Sequence, residues 1–431
     1  MSSERGPGEN SREVVIESLG LRGDGVAHLN GEQIFIPFSV PGDHLRISVD
    51  HRGKFTRIIE YTAHGPAQKK PVCEHFGQCG GCSVQHIIDA TYKRWKENIL
   101  IGALARRGIN TADVMPMVAI SPGSRRRARL HFIQTNNGLV LGFKSARSDQ
   151  VVGVNSCPLI TNAMRALISP IGLALSGFSG NGVCGEVSLT ETNTGVDLLL
   201  ALPIEPTLSL REKLSRLAHD HNVARISLKG FDKYFDQDPE PVVIRRTPEI
   251  DFSGLKVKLP MDGFVQPTKA GETLLRRKLL DFIKSTDRVV DLFAGSGAFA
   301  LPVARYCLSV HAVDMSARQI KALEESAKEH GLSTRVSAEI RNLDQRPLLE
   351  NELKAFTFAI LDPPRIGAFR QVQRLAKSDV PTIAYISCNP VSFAKDAEVL
   401  TKAGYSPLSI IPIDQFLWSH HLELIAIFVK Q

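Results

Sequence analysis

The sequence predicts an α/β protein whose C-terminal third is a Rossmann-like, doubly wound parallel sheet, behind a small OB-like β-barrel and an α+β middle domain. Three observations carry that prediction. At 431 residues the chain exceeds one ordinary core, and at 43% hydrophobic and 23% charged residues its composition is globular. Its first part holds short, evenly spaced apolar runs broken by glycine turns, the pattern of a small barrel. From Arg288 onward apolar strands alternate with helical stretches, the pattern of a sheet covered on both faces.

Charge and cysteine content narrow the class. A formal net charge of +7 suits a polyanionic partner, nucleic acid first. No apolar run reaches transmembrane length, and the N-terminus is polar without the hydrophobic stretch of a secretory signal. The expectation is a cytoplasmic monomer with no membrane role. In that compartment the seven cysteines should be thiols, metal ligands or nucleophiles rather than disulfides.

Residues 1–12 read as a disordered tail. Strands are expected at 14–16, 25–27, 34–36, 45–47 and 55–61, with turns at Gly23-Asp24-Gly25, Asn30-Gly31 and Pro41-Gly42-Asp43. The stretches Leu21-Arg-Gly-Asp-Gly-Val-Ala27 and Phe38-Ser-Val-Pro-Gly-Asp43 resemble a TRAM domain over residues 14–62, which implies RNA binding. A barrel that only packs on its neighbour is the bland alternative.

Cys73, Cys79 and Cys82 then fall within ten residues, spaced C-x5-C-x2-C among glycines. Cys157, followed by Pro158, is the best fourth ligand for an iron–sulfur cluster. Zinc would use the same thiolates, with His75 and His86 as further candidates, and unligated thiols are the bland reading. Cys184 and Cys307 sit in isolated apolar contexts and read as packing. Residues 91–110 predict an amphipathic helix, with Trp95, Ile99, Leu100 and Leu104 buried and Lys93, Arg94, Lys96, Arg106 and Arg107 exposed. Arg125, Arg126, Arg127 and Arg129 come next. A strand over 127–133 would turn alternate arginines toward a phosphate backbone, so Arg125, Arg127 and Arg129 are candidate RNA contacts. A charged edge strand is the alternative. Strands at 139–143, 187–189 and 196–200 and a helix over 207–221 complete the middle domain.

In the C-terminal third, the strand 288–293 leads into Ala294-Gly-Ser-Gly-Ala298 and a helix from Phe299 to Arg305. Such glycines let a cofactor approach the backbone at a helix N-terminus. The third glycine of a dinucleotide fingerprint is absent, which points to a class I S-adenosylmethionine (SAM) fold rather than to NAD. Asp314 ends the next strand, where an acid binds ribose hydroxyls. Asn342 follows a third strand, and Asp362-Pro-Pro-Arg365 follows a fourth. Either aspartate could instead be a helix cap. Residues 383–386 are apolar and predict a buried strand, which Ser387-Cys-Asn-Pro390 ends. Asn389 can cap a helix with Pro390 in its first turn. Cys388 therefore sits at a strand's carboxyl end before a helix, where the dipole should lower its pKa. The alternative is a small buried hydrophobe.

Together these motifs, with Phe264-Val-Gln266, Asp291-Leu-Phe293-Ala-Gly295-Ser-Gly297 and His421-Leu-Glu423, resemble the bacterial RNA uracil-C5 methyltransferase family over nearly the whole chain. The barrel and the set Cys73, Cys79, Cys82 and Cys157 are similar to the 23S ribosomal RNA branch, whose members bind a 4Fe–4S cluster. The resemblance implies domains at 13–64 (TRAM barrel), 65–245 (iron–sulfur and RNA-binding) and 246–431 (methyltransferase). It implies SAM contacts from Gln266, Phe293, Gly295, Asp314, Asn342 and Asp362. It also implies Cys388 as the nucleophile that adds to uracil C6. Glu423 fits the base that removes the C5 proton, because burial in the apolar run 422–429 would raise its pKa toward neutral. An edge-strand carboxylate is the bland reading of Glu423.

Departures from the family pattern are specific. Ala294 and Ala298 stand where the family has cysteine and asparagine, and the missing asparagine removes a hydrogen bond to the cofactor. Gln266-Pro267-Thr268 replaces Gln-Val-Asn, and the closing motif 416–423 lacks a proline and a threonine. A tRNA uracil-C5 methyltransferase and an RNA-binding protein with a decayed SAM site are the alternatives. An amino-group methyltransferase using the Asp362-Pro-Pro turn would need no cysteine. A radical methylthiotransferase would need C-x3-C-x2-C, which is absent.

Overall fold

The computed structural model describes residues 11–146, 148–177, 180–203, 207–230 and 238–431. Contacts gather the chain into two units. One comprises residues up to Ile99 with Ser145–Ser148 and Trp418–His420, and the other Leu100–Lys144, Asp149–Leu417 and His421–Gln431.

The first unit opens with β1 (Ser11–Val15), β2 (Ser18–Leu19), β3 (Gly25–Leu29), β4 (Glu32–Ile36), β5 (His44–Val49) and β6 (Phe55–Ala63). All five expected strands form, and β2 is a sixth. They make two three-stranded antiparallel sheets, β1-β5-β6 and β2-β3-β4. Strict alternation in β5 turns Leu45, Ile47 and Val49 inward, where they meet Val14, Ile16, Ala27, Ile34 and Ile36 in one core. The Asp43 carboxylate ties down its turn, accepting from the amides of Val40 at 2.8 Å and Gly65 at 2.7 Å. Of the tail expected at 1–12, residues 1–10 lie outside the described residues, while Ser11 and Arg12 pair with Ser48 and Ile47 in the β1–β5 ladder.

Helix α1 (Asp89–Ala105) buries Trp95, Ile99, Leu100 and Leu104, as their spacing predicts. The Trp95 indole donates to the Gly20 carbonyl at 2.8 Å. Lys96 departs from expectation: it is fully buried, its ammonium 5.4 Å from the centre of the Tyr92 ring. The i, i+4 spacing brings ring and cation together, and the ring face compensates part of the lost hydration.

The second unit contains two large sheets. β7 (Val118–Ala119) is followed by β8 (Arg127–Thr135), β9 (Gly138–Lys144), β10 (Val151–Gly153), α2 (Asn162–Arg165), α3 (Ile168–Leu175), β11 (Cys184–Thr192), β12 (Gly195–Leu202), α4 (Leu208–Asp220), β13 (Val223–Gly230) and β14 (Glu240–Ile244). The strands of this group other than β7 form a seven-stranded sheet in the order β10-β9-β8-β11-β12-β13-β14. Its core includes Leu130, Phe132, Leu189, Leu198 and Ile226 under Ile171, Leu214 and Leu217. Thr207 caps α4, its hydroxyl accepting from the Leu210 amide.

The remaining elements are β15 (Glu249–Asp251), β16 (Lys256–Lys258), α5 (Lys269–Leu280), β17 (Arg288–Leu292), α6 (Ala300–Val303), β18 (Ser309–Asp314), α7 (Ala317–Glu329), β19 (Val336–Ile340), α8 (Glu350–Leu353), β20 (Phe358–Leu361), α9 (Phe369–Lys377), β21 (Thr382–Ser387), α10 (Pro390–Lys402), β22 (Tyr405–Asp414) and β23 (Glu423–Lys430). β15 and β16 pair by themselves, and β17 to β23 with β7 build an eight-stranded sheet ordered β19-β18-β17-β20-β21-β23-β22-β7. β17 to β21 run parallel, and β23 lies antiparallel between β21 and β22. Adjacent residues go to opposite faces: Val289 and Ile386 join the core with α5, α6 and α7, whereas Val290 and Tyr385 join the core with α9 and α10. Both faces are covered, hence the near-continuous apolar runs.

Two sequence expectations change here. α6 is a single turn rather than a helix from Phe299 to Arg305, because beyond it the amides of Arg305 and Tyr306 bond three residues back, to the Pro302 and Val303 carbonyls, and the chain continues in turns. Residues 100–117 also do not belong wholly to the middle domain expected at 65–245: Leu100, Ala103, Leu104, Ile109 and Met117 pack in a core of the large sheet. Among the described residues no helix is long and apolar enough to cross a membrane.

Candidate active site

Strand order in the large sheet reverses between β17 and β20, since the chain winds outward to β18 and β19 before returning. At such a switch point the loops after adjacent strands diverge and leave a crevice at their carboxyl ends. The candidate residues lie at those ends.

After β17, Phe293 has φ +67°, which is strained for a side chain of that size. Its amide and that of Ala294 both donate to the Val313 carbonyl, which holds the turn. Gly295 and Gly297 follow at φ +54° and +90°; a Cβ on Gly297 would stand 2.8 Å from Leu301. Beneath this cradle Asp291 is fully buried, and no donor among the described residues meets ordinary hydrogen-bond geometry at either carboxylate oxygen, although the Ala300 amide favours its charged form. Burial, then the charge of Asp362, holds its carboxyl well above the ordinary range. Asp314 closes the cradle, accepting from the Gly295 amide at 2.9 Å and the Ser316 amide at 2.8 Å. The helix-cap role weighed for Asp314 belongs instead to Ser316, whose hydroxyl accepts from the Gln319 amide at the start of α7, and lone pairs on Asp314 remain for a ligand hydroxyl. The Asn342 side chain accepts from the amides of Asp344 and Gln345, fixing the turn after β19.

A glycine cradle beside three acids, one of them fully buried, fits a cationic ligand carrying ribose hydroxyls. SAM has both features.

Asp362, after β20, accepts from Gln266 Nε2 at 2.7 Å. Although part of its surface is open, surrounding protein pushes its pKa up to about 7, with Gln266 opposing and Glu272 reinforcing the shift. Cys388 follows β21 and is half-buried. Asn389 caps α10, its side chain accepting from the Val391 amide, with Pro390 at the first position, as predicted. The Ser387–Leu424 pair of the β21–β23 ladder, continued by one residue, sets Cys388 opposite Glu423. Glu423 is 2% exposed in an interior strand, so the edge-strand reading fails. Its carboxyl is raised well above the ordinary range by burial and then by Asp362, while Gln415 opposes the shift.

The lowered thiol pKa expected for Cys388 is corrected. Burial, followed by the charges of Glu423 and Asp362, pushes the thiol up to about 12, with Arg365 the opposing cation. The cap already occupies the Val391 amide at the helix end, so desolvation and two carboxylates outweigh the dipole.

The arginine run divides by strand alternation. Ala128, Leu130 and Phe132 are buried, whereas Arg129 is exposed and Arg127 stands 5.0 Å over the Phe264 ring. Arg125 lies 5.8 Å over Phe416. Arg126 turns inward instead, ion-paired with the fully buried Glu272 and donating to the Gln266 carbonyl at 3.0 Å. Arg276 pairs with the other oxygen of Glu272 at 2.7 Å. Beside Ser124, an open groove of about 640 Å³ runs along α5 past Lys269, Thr273 and Arg277.

Sequence reasoning missed Glu272, Gln415 and the structural use of Arg126. The i, i+4 spacing of Glu272 and Arg276 was the available signal; a glutamine just after an apolar strand gives none.

The metal expectation fares differently. Cys73, Cys79 and Cys82 lie on a turn-rich loop of the first unit, half-buried, and Cys157 belongs to the second. Local bonds shape that loop, Phe76 N to Cys73 O and Cys79 N to His75 O. Among the described residues no three His, Cys, Asp or Glu side chains stand close enough to hold one metal ion.

Comparison with known proteins agrees with the strand-end site. The family described as tRNA (uracil-5-)-methyltransferase matches residues 243–431, the segment carrying all of Gln266, Cys388 and Glu423. Across 97% of its length the chain is 36% identical to an uncharacterised RNA methyltransferase of Rhizobium meliloti, spanning 99% of that protein. It is 35% identical to one of Agrobacterium fabrum, with 98% and 100% covered. Its fold is shared with the crystal structure of Pyrococcus abyssi tRNA (uracil-54, C5)-methyltransferase in complex with S-adenosyl-L-homocysteine, at TM-score 0.71 and 20% identity, covering 97% of this chain and 100% of that one. Similarity extending through both chains from end to end, with the uracil-specific match lying over the crevice, makes this chain a member of the RNA (uracil-5-)-methyltransferase family.

Proposed function

We propose that this enzyme methylates C5 of a uridine in RNA with SAM as donor, Cys388 acting as nucleophile and Glu423 as general base. The observation that carries the reading is the register opposing Cys388 and Glu423 at the ends of β21 and β23. Uracil C5 is a poor nucleophile until a group adds at C6. As the Cys388 sulfur bonds to C6, the thiol proton passes to solvent and the C5=C6 electrons become an enolate, making C5 nucleophilic; when the sulfur later leaves it takes a proton back from solvent. Bound SAM supplies the methyl group and a positive charge among the acids. Glu423 then takes the C5 proton, the C–H electrons rebuild the C5=C6 bond, and the Cys388 sulfur leaves. Burial suits Glu423 to this task by strengthening its basicity. Gln266, Phe293, Gly295, Asp314, Asn342 and Asp362 bind and orient the cofactor and the base. The target base must leave its stack to reach Cys388. Arg125, Arg127 and Arg129, with Lys269 and Arg277 along the groove, suit the phosphate backbone.

RNA carrying 5-fluorouridine tests the roles, because fluorine cannot leave as a proton. The wild type should form a covalent adduct and Cys388→Ala none; an adduct with Cys388→Ala overturns the assignment. Glu423→Gln should still form the adduct, while turnover on uridine falls by at least about a hundredfold.

The RNA is 23S ribosomal RNA in this reading, supported by the TRAM-like stretches of the first unit and the cysteine set; tRNA is the alternative. A 4Fe–4S cluster on Cys73, Cys79, Cys82 and Cys157 is supported by their spacing alone, and iron analysis of protein purified without oxygen decides it.

A further inference from the structure

Gln415 follows β22 and is 3% exposed. Its Oε1 accepts from the Thr268 hydroxyl at 2.8 Å and from the Thr268 amide at 3.2 Å. Two donors fix which end of the amide is oxygen, so the nitrogen must face the other way. There Nε2 stands 3.4 Å from Glu423 Oε2 and 3.4 Å from Gln266 Oε1. The Gln266 amide donates in turn to Asp362. Polarity thus runs one way, from Thr268 through Gln415 to Glu423, and through Gln266 to Asp362. Thr268 is itself anchored as the cap of α5, its hydroxyl accepting from the Gly271 amide at 3.1 Å. The fold also makes room: a Cβ on Gly271 would stand 2.3 Å from the Gln415 amide.

We propose that Gln415 is the positioning residue of the site, aiming the Glu423 carboxylate through an amide whose orientation Thr268 sets. This rests on Glu423 being the base. The charged and titratable groups facing Glu423 are Asp362 after β20 and Cys388 after β21; Glu272, with Arg126 and Arg276, lies behind Gln266. Gln415 supplies a hydrogen-bond donor toward the carboxylate, so its loss makes Glu423 harder to ionise and lets it wander. The proton-removal step should weaken while thiol addition proceeds.

The test uses the full chain with 23S ribosomal RNA and tRNA transcripts, uridine-containing for turnover and 5-fluorouridine-containing for the adduct. Gln415→Leu keeps the volume and removes the donor. Its adduct should form at a rate within about threefold of wild type, while turnover at neutral pH falls about tenfold and the rise of rate with pH moves to higher pH. Thr268→Ser, retaining the hydroxyl, should keep the wild-type pH profile, and Thr268→Val should shift it in the same direction as Gln415→Leu. Folding of each variant is checked by thermal melting. If Gln415→Leu does not fold, the Thr268 pair decides alone. Wild-type adduct with unmoved pH profiles in the folded variants overturns the role of Gln415 and leaves Cys388 standing. No adduct with the wild type overturns both.

Discussion

Asp291 and Asp362, near the carboxyl ends of β17 and β20, and Glu423, at the start of the antiparallel β23, are each held above the ordinary carboxylate range by burial first; the charge of Asp362 adds to the shifts of Asp291 and Glu423, and that of Glu272 to the shift of Asp362. Such a group of acids prefers protons or a cation to an empty state. Asp362, at about 7, is the member that titrates near neutrality. Below that pH it is protonated and attracts a sulfonium weakly; above it the full charge is present. SAM affinity should therefore increase from pH 5.5 to 7.5 and then level, by up to about tenfold per pH unit on the steep part. S-Adenosyl-L-homocysteine, with no charge on sulfur, should vary less. Calorimetric titration of both ligands checks this, and a pH-independent SAM affinity would count against the electrostatic account. The Cys388 thiol meets the same field with the opposite consequence, for the acids that welcome a cation disfavour a thiolate.

Strand β8 and the residues leading into it show how one element divides the work. Alternation sends Ala128, Leu130 and Phe132 to the core and leaves Arg127 and Arg129 on the other face. Arg126, just before the strand, enters the buried ion pair with Glu272. Arg129→Ala should change stability by no more than about 0.5 kcal/mol, while RNA affinity falls and its salt slope drops by about one. Arg126→Ala leaves Glu272 with Arg276 alone and should cost about 3–5 kcal/mol in denaturant unfolding. Equal stability in the two variants would refute this division. The sequence predicted the periodicity but not the inward turn of Arg126, because four neighbouring arginines look alike until a buried carboxylate distant in sequence selects one.

At the scale of the molecule, a net charge of +7 and a large sheet with its crevice at the strand ends suit a long polyanion presenting one base. Which polyanion is a question for the cell. Nucleoside mass spectrometry of a deletion strain should show 5-methyluridine lost from 23S ribosomal RNA and retained in tRNA; the reverse pattern would assign the enzyme to tRNA. The strand-and-helix alternation after Arg288 and the cap and proline at Asn389-Pro390 were legible because each depends on neighbours within a few residues. The burial of Lys96 was less so, since a basic residue on a helix normally faces water.

The order of the motifs and the chemistry of their side chains were set by the sequence, since periodicity, capping and the reactivity of a cysteine are local properties. Only the tertiary structure decided that β23 inserts beside β21, which sets Glu423 opposite Cys388, and that Gln415, held by Thr268, faces the Glu423 carboxylate. It also decided the sign of the thiol's shift, because an electrostatic environment sums charges from several strands. Desolvation and Coulomb forces act through space, and distances in space are fixed by packing rather than by separation along the chain.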